Sequence, residues 1–113
     1  MIGRLVLQYT RFMQQGGKCS GQLVVADDKG KTLQVLERFD LVEFPQMLRL
    51  FAVRVQANPG MECCFQRTDK PGFPITPWAP AHVEQLRNDP EQAIAELSEI
   101  KKVTYDMRGT KEQ

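Results

Sequence analysis

The sequence is poor in the side chains from which most catalytic and metal sites are built. It holds a single histidine, His82, and three cysteines, Cys19, Cys63 and Cys64. An odd cysteine count with two adjacent thiols is no disulfide framework, because a vicinal pair bridges only under strain. A reducing, cytoplasmic setting is therefore expected. Adjacent cysteines are also badly spaced to chelate one ion, so neither a metal nor a cofactor is expected. No apolar run reaches the roughly 20 residues of a membrane helix. The Met1–Gly3 start has neither a charged nor an apolar leader region, which predicts no signal peptide and no membrane contact. An excess of one charge is missing too. With 15 Lys+Arg against 14 Asp+Glu the net charge is +1, which excludes a strongly basic nucleic-acid binder and an acidic mimic of nucleic acid. The glycines form no phosphate loop, since Gly16-Gly17 lacks the strand–loop–helix context and the Lys-Ser/Thr ending.

What is present is the size and balance of one soluble domain: 113 residues, 42% hydrophobic and 26% charged. We expect a single domain over residues 1–108, with 109–113 as a flexible tail. Leu5, Leu7 and Tyr9 fall on one parity and Arg4, Gln8 and Thr10 on the other, the period of a half-buried strand. After the flexible Gln14–Gly17 turn, Leu23 and Val25 resume the alternation. Asp27-Asp28-Lys29-Gly30 then signals a hairpin, followed by Leu33, Val35, Phe39 and Leu41 on odd positions.

Residues 44–57 read both ways. Phe44, Met47, Leu48, Phe51 and Val55 make a helical stripe with Pro45 suited to the first turn, while Phe51, Val53 and Val55 also alternate as a strand would. The helix is the preferred reading. Met61–Arg67 predicts another short strand. Further on, His82–Arg87 predicts a short helix burying Val83 and Leu86. Asp89, Pro90 and Gln92 form a capping-box signature ahead of the stripe Ala93, Ile94, Leu97 and Ile100. The expected architecture is α+β: an antiparallel sheet of about four strands, from residues 4–41 and 61–67, with C-terminal helices packed on one face. Its core is expected to comprise Leu5, Leu7, Tyr9, Leu23, Val25, Leu33, Val35 and Phe39, then Met47, Leu48, Phe51, Cys63, Phe65, Ile94, Leu97 and Ile100.

Three features bear on function. Pro71, Pro74, Pro77 and Pro80 recur every three residues, the repeat of a polyproline II helix, and Phe73, Ile75 and Trp78 lie between them. Such a strip loses little entropy on docking, so Phe73, Ile75 and Trp78 are candidate partner-binding residues. The structural alternative is an ordered connector in which Ile75 and Trp78 pin the strip across the sheet. Second, residues 1–38 carry six basic and three acidic side chains, whereas residues 73–113 carry five and seven. Arg4, Arg11, Lys18 and Arg38 on phosphates, with Tyr9 or Phe12 stacking on bases, make a candidate single-stranded nucleic-acid surface. Third, Cys63 and Cys64 with His82, the only imidazole, invite a thiol-enzyme reading, with Cys64 as the candidate nucleophile.

No catalytic template is met, so the reading preferred is a small non-catalytic interaction or accessory protein with a protein partner, nucleic acid being the weaker option. A homodimer is expected through an exposed edge at residues 61–67 or through residues 103–108, where Tyr105 and Met107 fall outside the helical stripe.

Overall fold

The computed structural model describes residues 3–98. Within them the chain forms β1 (Arg4–Phe12), β2 (Lys18–Ala26), β3 (Thr32–Val42), α1 (Phe44–Ala57), β4 (Glu62–Arg67), β5 (Thr76–Pro77) and α2 (Pro80–Asn88). A third helix, α3, covers 90–98. The class is α+β. The expected residues 99–108, the tail 109–113, Ile100, Tyr105 and Met107 lie outside the described residues.

The first three strands form an antiparallel meander, as the Gln14–Gly17 and Asp27–Gly30 turns predict. β1 pairs with β2 from Arg4↔Ala26 to Phe12↔Lys18, and β2 pairs with β3. The β2–β3 turn closes on Asp27. Its Oδ1 accepts the Lys29 and Lys31 amides at 2.9 and 2.8 Å, and Gly30 takes a φ of 86°, which a residue with a Cβ adopts only under strain.

The fully antiparallel sheet is corrected. The sheet has five strands in the order β3-β2-β1-β4-β5, and β4 runs parallel to β1 from Arg4↔Glu62 to Tyr9↔Arg67. Alternation reports which face a side chain takes and says nothing of strand direction. Here α1 intervenes between β3 and β4, the kind of long connection that a parallel neighbour requires. β4 is consequently interior, between β1 and β5, and cannot be the free edge expected at residues 61–67. The fifth strand is only Thr76–Pro77, opposite Phe65 and Cys64.

Residues 44–57 are helical, and the exposure pattern explains why. Phe44, Met47, Leu48, Phe51, Ala52 and Val55 are buried, whereas Val53 is 58% exposed. A strand would have placed Val53 with Phe51 and Val55; the helix turns it outward. The Asp89 cap forms in part. Asp89 Oδ1 accepts the Gln92 amide at 3.4 Å, but the Gln92 side chain donates to Glu96 Oε1 instead of reaching back.

The larger buried cluster joins Leu5, Leu7, Tyr9, Leu23, Phe39 and Cys63 to the α1 stripe, Trp78, Leu86, Ala93, Ile94 and Leu97. Val6, Val24, Ala26 and Cys64 form a second cluster, with Ile75 packed on it. Because successive strand side chains point to opposite faces, the two clusters lie on the two sides of the sheet. No polar or charged side chain is buried among the described residues. Four expected core residues differ: Val25 and Phe65 are half-buried, and Leu33 and Val35 are 44% and 37% exposed.

Candidate functional site

The proline strip is not one polyproline helix. A turn at 68–72 bends it, with the Phe73 amide donating to Lys70 O at 3.1 Å and Gly72 at a φ of 75°. Thr76–Pro77 then joins the sheet and Pro80 opens α2. Trp78 is held by its own amide, which donates to Cys63 O at 2.9 Å. That bond carries the indole into the core, 9% exposed, with ring centroids 4.9 Å from Phe65 and 5.7 Å from Phe51. Ile75 packs against the second cluster, on the other side of the sheet, and Phe73 rests 6.1 Å from Phe65. Phe73, Ile75 and Trp78 therefore share no single surface, and Trp78 keeps only a small exposed edge.

Cys63 and Cys64 do split between the two faces. Both are buried, and both thiols are pushed up by burial; Cys64, which donates to Glu62 Oε1 at 3.4 Å, is raised to about 12. A nucleophilic cysteine needs the opposite shift. Val83 and Leu86 of α2, the helix of His82, pack with the cluster that holds Cys63, whereas Cys64 points to the other side of β4. The sheet stands between Cys64 and the only imidazole. Among the described residues no group of three His, Cys, Asp or Glu side chains gathers as a metal site, and no described helix is long and apolar enough to cross a membrane.

The basic set is scattered as well. Arg4 sits at the start of β1 and donates to Asp27 O at 2.9 Å. Phe12 and Lys18 face each other at the far end, about 26 Å away for eight residues of strand. Arg11 lies on the Phe44 ring at 4.7 Å and donates to Gly17 O. Arg38 is on β3 opposite Gln22. Tyr9 is 2% exposed under the Arg67 guanidinium, 5.3 Å from its ring, and burial raises its hydroxyl pKa despite that charge. Its face is not available for stacking on a base. Of the two aromatic candidates only Phe12, 38% exposed, reaches solvent.

The surface that does emerge is β3. Among the described residues the exposed large apolar side chains are Phe12, Met13, Leu33, Val35, Leu41 and Val53, and three of these belong to β3. Among the described residues β3 is the outermost strand, and one row of its backbone groups has no ladder partner there. The opposite edge is only two residues long and contains Pro77. β3 is also irregular. Thr32–Val42 runs past only Cys19–Ala26, with register shifts at three places that each insert one extra β3 residue. At the last of these Leu41 adopts a φ of 50°. Ser20 holds the distortion: its hydroxyl accepts the Leu41 amide at 2.8 Å and donates to Asp40 Oδ1 at 2.7 Å.

Sequence reading missed this surface because Leu33 and Val35 alternate as core residues do. Comparison with protein-family models, with curated proteins and with solved structures found no match.

Proposed function

We propose that this chain is a small non-catalytic interaction protein that binds a protein partner along β3. The observation that carries the reading is the exposure of Leu33, Val35 and Leu41 on the outermost strand. A row of unpaired backbone groups beside apolar side chains is what strand-addition partners use: the backbone supplies hydrogen bonds and the side chains supply register. The bulges limit regular pairing to short stretches, which disfavours open-ended association and suits one defined partner. Three free, buried cysteines support a reducing, cytoplasmic setting. A homodimer through β4 is not part of the reading.

The test is site-specific photo-crosslinking in cells from positions 33, 35 and 53. Discrete products from 33 and 35, with the product from 33 lost on Val35→Glu and retained on Val53→Glu, support a β3 interface. Crosslinks from 53 alone, or a product unaffected by Val35→Glu in the folded protein, remove it. A product of twice the chain mass identifies the partner as a second copy.

A further inference from the structure

A cleft of about 720 Å³ opens where the start of β4, β5 and α2 meet, away from β3 in the strand order. Sites for small organic molecules occupy about 300–1,000 Å³ and combine apolar walls with a few polar anchors. The apolar walls here are Met61, Pro77, Trp78 and Val83.

The polar anchor is Arg87, in the last turn of α2. Its guanidinium makes no hydrogen bond or ion pair with any described residue, and its Nε is closed to solvent without an acceptor. Arg49, Arg54 and Arg67 pair through their terminal amines with Glu91, Glu37 and Asp69, and Arg4 and Arg11 donate to carbonyls, although Arg54 Nε is itself buried without an acceptor; Arg38, also unpaired among the described residues, is exposed. Nε is shielded from the cleft as it is from water, so an anion in the cleft would meet the terminal amines of the guanidinium, which have no acceptor among the described residues. The indole Nε1 of Trp78, in the same lining, is a second buried donor without an acceptor.

Two acids also border the cleft, and neither neutralises Arg87. Glu62 takes the Cys64 thiol on the other side of β4, and Glu84 is exposed on α2. The Arg87 charge does reach inward, since it opposes the burial that raises the Cys63 thiol.

We propose that this cleft binds a small organic carboxylate, its apolar body against Trp78, Met61 and Val83 and its carboxylate on Arg87. The site is independent of the β3 interface and stands or falls without it. Trp78 is the only tryptophan in the chain, so its emission reports directly on the cleft wall.

The experiment titrates the full chain with phenylacetate, phenylacetamide and phenethylamine, three probes with one body and different head groups. The expected result is a saturable change in Trp78 emission with phenylacetate, with the amide at least about tenfold weaker, a difference within reach of one charge-assisted pair. Arg87→Gln abolishes that preference, Arg87→Lys keeps part of it, and Arg38→Gln changes nothing, with folding of each variant verified by circular dichroism. Equal binding of acid and amide overturns the proposal. So does tighter binding of the amine, which would make the two glutamates the anchors, an unchanged acid preference in Arg87→Gln, or no saturable response to any probe.

Discussion

The amide of Leu41 donates to the hydroxyl of Ser20 at 2.8 Å, and this bond holds a bulky residue at a φ of 50° on the edge of the sheet. The left-handed region costs an L-residue roughly 1–2 kcal/mol. Relieving it with Leu41→Gly removes that cost, offset in part by the entropy that glycine loses on folding. We expect a net gain of about 0.5–1 kcal/mol in urea unfolding. Ser20→Ala removes the acceptor that stabilises the distortion and should cost about 1–2 kcal/mol. In the double variant the two effects should not add, because the first change removes much of the reason for the second.

Gly21 is set by proximity. A Cβ there would strike the Gln8 carbonyl oxygen and come within 2.8 Å of Tyr9 Cα, both backbone groups of the central strand. Gly21→Ala should therefore lose about 3 kcal/mol or more, the scale of severe overpacking. Gly60→Ala meets nothing within 4 Å and serves as the matched control, expected within about 0.5 kcal/mol of wild type.

The thiols give a pH dependence with a defined sign. Cys64 is raised to about 12 in the folded chain, against about 8.5 for an ordinary unfolded thiol. Below pH 8.5 it is neutral in both states and has no pH effect. Above that, the unfolded chain ionises first, so stability falls through the window up to about pH 12. The urea midpoint should drop between pH 8 and 10.5, more in wild type than in Cys64→Ala. Iodoacetamide at pH 8 should leave Cys64 unmodified until the protein is unfolded.

Trp78 and Phe73 should behave differently despite sharing the proline-spaced segment. Trp78→Ala empties a core site between Phe51 and Phe65 and should cost about 3–5 kcal/mol. Phe73→Ala removes a half-buried ring at 6.1 Å from Phe65 and should cost about 1–2 kcal/mol. Guanidinium unfolding distinguishes them, and it also prevents a folding defect in Trp78→Ala from being mistaken for lost binding.

Local features were legible. The Asp27–Gly30 turn and the three-strand meander depend on neighbours a few residues away, and both form as read. Residues 44–57 were legible only in part, because Phe51, Val53 and Val55 alternate as a strand would, and it is the burial of Phe51 and Val55 without Val53 that shows the helix. The position of β4 was not, since its partner β1 lies some fifty residues earlier and no side chain announces that pairing. Val6 also blurred the pattern of β1: it is buried on the face that alternation assigns to solvent. Leu33 and Val35 carry a core-like pattern on a strand that turns out to be outermost, a property of the whole sheet and not of the segment. Trp78 reads two ways in sequence, as part of a docking strip or as a pin across the sheet, and only the hydrogen bond from its amide to Cys63 O, made once β4 is in place, draws its ring inward. Arg87 carries no local sign of its isolation, which exists only once α2 is set beside β4.

The parallel pairing of β1 with β4 orders the assembly of the chain in time. The β1–β2–β3 meander closes over short loops and can form as soon as its residues are available, whereas β4 reaches its place only after the closure of a long loop. Until then the inner strand β1 has one side paired and the other open, with Val6, Leu5 and Leu7 uncovered beside it. The slow step of refolding should accordingly be the capture of residues 62–67. It is during this interval, and not in the finished sheet, that the chain is most exposed to pairing with another copy of itself.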